Sequence, residues 1–128
     1  MNLNLAPVVD VARAGGVLAR ERRAYGRVPQ AVADRAAAFV EGLHAGGVLA
    51  TAKHLPGFGA ARRNTDDAPQ RITLPLATLR AIDEPPFARL VDGGIDAVML
   101  STAVYPALDE RPAALSPLWI GGELRGRL

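Results

Sequence analysis

The stretch TAKHLPGFG (51–59) holds the only lysine of the chain, Lys53, and beside it one of its two histidines, His54. Every other strong cation is an arginine. Lysine offers a compact ammonium on a flexible stem, and histidine a directional ring nitrogen, so the pair suits the hydroxyls of a polar, uncharged ligand. A satisfied pair, with Lys53 on a carboxylate or helix end and His54 bonded to its own loop, is the competing reading. The glycines and proline that follow describe a sharply turning loop. His44 lies near a helix end and reads as a capping or surface residue.

A second polar group, RRNTDDAP (62–69), places Asn64, Asp66 and Asp67 in a loop. Adjacent aspartates in loops commonly form turns. Acid chemistry such as glycoside hydrolysis needs two carboxyl groups with separate roles, so Asp66 and Asp67 are carried as candidates, with Asp10 a further carboxylate. No metal-ligand spacing, phosphate-binding glycine fingerprint or nucleophile-elbow serine is present, and no cofactor is expected.

The elements that must position these residues read as strand, helix, strand, helix, strand, helix. LNLAPVVDV (3–11) is a short branched-apolar run expected to be a buried strand ending near Asp10, and the Arg- and Gly-rich stretch 13–28 a loop. From Pro29, apolar residues recur at helical spacing through Val32, Ala36, Phe39, Val40 and Leu43, and Gly46-Gly47 ends the helix. Residues 48–55 predict a second strand, followed by a long loop to about 73. Residues 75–92 predict helix in two pieces broken at DEPPF, and 95–104 a third strand. YPALDERPAAL reads as a loop, and Ser116-Pro117 starts a last helix carrying Leu118, Leu124 and Leu128. Apolar strands alternating with amphipathic helices predict parallel strands, either a doubly wound sheet or part of an eight-stranded barrel. Both put their chemistry at the carboxyl ends of strands, where Asp10, Lys53-His54 and Ser101-Thr102 fall.

The 128 residues suffice for one domain, and 49% are apolar, enough for a core. Without cysteine there is no disulfide framework or thiolate metal site. No apolar run is long enough to span a membrane. MNLNLAPVVD lacks a signal-peptide pattern, which points to the cytoplasm while leaving export of a longer protein open. The net charge is only +2, and the one dense basic patch, RERRAYGR, carries no reading motif, so nucleic acid is not expected as a partner.

In order along the chain, LNLAPVVDV, RRAYG, LATAKHLPGFG, IDAVMLSTAVYPALD and RPAALSP resemble glycoside hydrolase family 3, in particular the N-terminal barrel of its bacterial β-N-acetylhexosaminidases. The resemblance covers nearly the whole chain, and KHLPGFG is similar to the family's KHFPGHG signature. It implies an α/β fold, a partial (β/α)8 barrel made of central βα units, with residues 1–128 a fragment of that domain. It also implies removal of terminal N-acetylglucosamine from peptidoglycan-type fragments by a retaining mechanism. Asp10, Arg23, Lys53 and His54 fall on positions that bind sugar in the family.

Two departures stand out. Where the family's enzymes have Asp-Ser-His, with an Asp-His dyad as acid/base, this chain has Asn64-Thr65-Asp66, and Phe58 replaces the signature's second histidine. An aspartate acting as acid at neutral pH needs surroundings that hold its proton. The family's nucleophilic aspartate follows the region matching GELRGRL, so it is expected to be absent from this chain, along with the remainder of the barrel. The segment alone is then expected to be inactive. A non-catalytic carbohydrate-binding or regulatory barrel is the alternative.

Overall fold

Leu49–Leu55 is a strand paired on both sides, and four of its seven residues are buried. Ala50, Thr51, Ala52 and Leu55 are all inaccessible, the pattern of a strand covered on both faces. The computed structural model describes residues 2–128. In it this strand, β2, is the centre of a parallel sheet, between β1 (Leu3–Asn4) and β3 (Ala97–Leu100). Leu3 lies opposite Leu49, and Thr51 to Leu55 run beside Ala97 to Leu100. Each strand therefore neighbours the next one in the chain. This is the order of a barrel wall, and also of one half of a doubly wound sheet.

Two helical crossovers make the connections. After a short turn, α1 (Val17–Arg20), comes α2 (Pro29–Ala45), whose Val32, Ala36 and Val40 are buried at intervals of four. Pro29 occupies the first helical turn, where no N–H is required. Beyond Ala45, Gly47 adopts φ +70°, and Val48 N–H donates to Leu43 O at 2.9 Å, closing the helix. The second crossover runs through α3 (Leu76–Thr78), widens into a π turn at Leu79–Asp83, and continues as α4 (Pro85–Asp92), which packs against α2. Pro85 ends one piece and begins the next, so the predicted break falls where expected.

Several boundaries differ from the sequence reading. The first strand pairs as a ladder only at Leu3–Asn4 and touches β2 again at Val8, because Pro7 has no N–H to contribute. The stretch 13–28 contains α1, anchored by buried Val17 and Leu18. The third strand ends at Leu100. Val104–Tyr105 (β4) turns away and pairs antiparallel with Asp109–Pro112 (β5), a hairpin inside the expected loop. A 3-10 turn, Ala113–Leu115, follows, and the last helix is a π helix over Leu118–Leu124.

The core has two parts. One lies between the sheet and the helices, around Val9, Val40, Ala52 and Phe87. The other lies around Leu18, Phe58, Tyr105 and Trp119, and its Phe58 also lines the candidate site.

Candidate active site

Asp10 ends the segment that re-joins β2 after Pro7, and its side chain is fully buried. A buried carboxylate needs donors, and three are present. His54 Nδ1 lies 2.8 Å from Oδ2, Phe58 N–H donates to Oδ1 at 2.6 Å, and His54 N–H lies 3.3 Å from both oxygens. With Nδ1 committed to the carboxylate, the ring is fixed and Nε2 is the nitrogen left for another partner. Phe58 packs edge-on against the His54 ring, with centroids 5.8 Å apart. The loop's backbone, through Phe58 N–H, thus serves Asp10 whatever side chain stands at position 58.

His54 and Phe58 face a cavity of about 190 Å³. The other walls come from Arg23, from Asn64, Thr65 and Asp66, and from Met99 to Thr102 at the end of β3. Arg23 follows Arg22, whose φ of +55° turns the chain sharply. Its guanidinium is partly exposed and, among the described residues, forms its one side-chain ion pair with Glu21, at 3.3 Å. Asn64 Oδ1 accepts Asp66 N–H at 3.3 Å in a local turn, which leaves the Asn64 amide group as a donor. Ser101 is buried and accepts Ala103 N–H at 3.0 Å, shaping the exit from β3.

The six candidate residues from the sequence do not all share this wall. Arg23, His54 and Asp66 line it. Asp10 stands behind His54, not at the surface of the cavity. Asp67 is exposed and off the wall, donating its N–H to Asn64 O. Lys53 is tied by its backbone, giving N–H to Pro7 O at 3.1 Å and accepting Val9 N–H at 2.8 Å. Its side chain is absent from the lining and pairs with no carboxylate among the described residues.

Residues that sequence reasoning passed over support the site from below. Tyr105 OH donates to Gly57 O at 3.1 Å, and burial pushes its phenol well above the ordinary value, so it stays a donor. Arg13 pairs with buried Asp83. No sequence signal marked Arg13, one of many arginines, or Asp83, read as part of a helix break. Among the described residues no group of three or more potential ligands could hold a metal ion, and no helix is long and apolar enough to cross a membrane.

Comparison with known proteins gives a consistent result. The family model described as "Glycosyl hydrolase family 3 N terminal domain" matches residues 1–128. A beta-hexosaminidase of Stenotrophomonas maltophilia (strain R551-3) is 43% identical over 128 residues, which is 100% of this chain and 38% of that protein. The crystal structure of NagZ from Neisseria gonorrhoeae in complex with N-trifluoroacetyl-D-glucosamine superposes with a TM-score of 0.90 at 34% identity, covering 96% of this chain and 36% of that one. A family 3 β-N-acetylglucosaminidase from Paenibacillus sp. str. FPU-7 gives a TM-score of 0.92 at 32% identity, covering 98% of this chain and 24% of the other. The chain thus spans a little over a third of the length of the curated relatives it matches.

Proposed function

Since this chain belongs to the glycosyl hydrolase family 3 N-terminal domain family, we propose that it contributes the sugar-binding wall of a β-N-acetylhexosaminidase. The substrate is a glycoside ending in N-acetylglucosamine, such as a peptidoglycan fragment. The observation that carries this reading is the fixed His54 ring, held by buried Asp10 on a cavity at the carboxyl ends of parallel strands.

Within that cavity, His54 Nε2 and the Arg23 guanidinium bond sugar hydroxyls, with the Asn64 amide as a further donor. Asp10 acts through His54 as a positioning residue. Lys53 sits on the same strand next to His54 and joins the hydroxyl contacts by swinging its flexible stem toward bound sugar. In a retaining mechanism one carboxyl group protonates the glycosidic oxygen while another attacks the anomeric carbon, the two about 5–5.5 Å apart. Asp66 is the carboxyl group on this wall and takes the acid/base role. The nucleophile comes from outside residues 1–128.

The second reading is a barrel that binds sugar without cleaving it. Asn64-Thr65-Asp66 supports it, because this loop lacks the Asp-His dyad expected from the resemblance. One experiment separates the two. The product of the complete gene is assayed on a chromogenic N-acetylglucosaminide, alongside Asp66→Ala and His54→Ala. Turnover that Asp66→Ala abolishes, while sugar binding persists, supports the enzyme. Calorimetric binding of N-acetylglucosamine without any turnover supports the binding barrel. Neither binding nor turnover overturns both.

A further inference from the structure

Arg13 lies three residues beyond Asp10 and reaches across the molecule to Asp83, at the end of the π turn after α3. The contact is two-pronged: Nη2 to Oδ2 at 2.5 Å and Nε to Oδ1 at 3.3 Å. Asp83 is fully buried, whereas Arg13 is about a quarter exposed. A buried ion pair is an inefficient source of stability, because desolvation offsets much of the attraction. Its location suggests a different use.

Gly57, in the turn after His54, rests directly on Asp83. A Cβ placed on Gly57 would come within 2.5 Å of the Asp83 Cβ and 3.1 Å of its Cγ. Gly57 also holds φ +129°, which side chains of the L series rarely adopt. From the other side, Tyr105 OH holds Gly57 O at 3.1 Å. The next residue, Phe58, gives its N–H to Asp10. The loop 54–58 is therefore gripped at three points, by Asp10, Tyr105 and the Arg13–Asp83 pair.

We propose that Arg13 and Asp83 are positioning residues of the sugar site, setting the height of the Gly57 turn so that His54 and Phe58 N–H converge on Asp10. This rests on reading the cavity as a sugar site. Arg13 draws Asp83 toward the segment that carries Asp10, so one stretch of chain, residues 10–13, fixes the loop through two carboxylates. Neither Arg13 nor Asp83 touches the cavity, so the pair acts on substrate only through His54.

The test uses the product of the complete gene with Arg13→Lys, Arg13→Met and Asp83→Asn. Two quantities are read: the ring ¹⁵N signals of His54, assigned with His54→Gln, and the KM and kcat for a chromogenic N-acetylglucosaminide. The expected result is displaced His54 signals in Arg13→Met and Asp83→Asn, with KM raised about tenfold and kcat changed less than about twofold. Arg13→Lys, which keeps the charge but loses the fork, recovers most of the wild-type spectrum and KM. Folded variants with unchanged His54 signals and KM would overturn the proposal, leaving the pair a purely structural one. Should Asp83→Asn fail to fold, the two Arg13 variants decide alone. If the wild-type protein turns over no substrate but Arg13→Met still displaces the His54 signals, positioning stands and the enzymatic reading falls.

Discussion

At the residue scale the site depends on which atoms of His54 are already in use. Asp10 occupies Nδ1, so the orientation of Nε2 toward the cavity is set before any ligand arrives, and binding need not order the ring. Asp10→Asn keeps the shape but can present an N–H where an acceptor is needed, either to Phe58 N–H or to the His54 ring. We expect N-acetylglucosamine affinity to fall about tenfold with little change in secondary structure, read by calorimetry and circular dichroism. Unaltered affinity would show that the ring needs no such anchor. Asp10 and His54 could be picked from residue type and position at strand ends, Asp66 as a loop carboxylate, and Arg23 from the family resemblance. Lys53 could be picked too, but its neighbour took the place on the wall. Arg13, Asp83 and Tyr105 were illegible, because their partners lie 70 and 48 residues away in the chain.

At the element scale the apolar patterns located α2 and the central strand, since burial on one face leaves a repeating trace, whereas the four-residue α1 lay within a stretch read as loop. The hairpin of β4 and β5 left none. Its strands are two and four residues long, and β5, with sequence DERP, is polar. What secures it is local polar bonding. Asp109 pairs with Arg111 and accepts Ser116 Oγ–H at 2.5 Å, while Ser116 Oγ accepts Trp119 N–H at 3.2 Å and caps the final helix. Ser116→Ala removes both bonds and is expected to cost about 1–2 kcal/mol in denaturant unfolding. The Arg111 and Ser116 bonds hold the Asp109 carboxyl down at about 2, against an ordinary 3.8. A depressed folded value means that this stabilisation is full above pH 3.8 and fades as pH falls toward 2. Unfolding midpoints measured across that window should decline less steeply in Asp109→Asn than in wild type. Asp83 works in the opposite sense, since burial outweighs Arg13 and raises its carboxyl, so its share favours the folded state on the acid side and fades as pH rises.

At the scale of the whole molecule, β1 and β3 are the two edges of the parallel sheet, each with one side unpaired by the described strands. Leu3, Leu5 and Leu49 are 42%, 52% and 49% exposed at its amino-terminal side. Unpaired edges beside exposed apolar residues template association. The isolated 128-residue chain is therefore expected to self-associate at tens of micromolar, and Leu5→Lys to reduce this, by sedimentation velocity. A sharp monomer peak for the unaltered chain would refute it. The sequence by itself determined the alternation of strand and helix, the ends of α2, and the gathering of polar residues at strand termini, because each is written in local spacing and local backbone preference. Only the tertiary structure decided that the strands lie in chain order, that Asp10 turns inward to His54, and that an arginine and an aspartate far apart in the chain hold the loop between them. Those outcomes depend on which distant groups must share a buried space and satisfy each other's charges and hydrogen bonds, which no local pattern encodes.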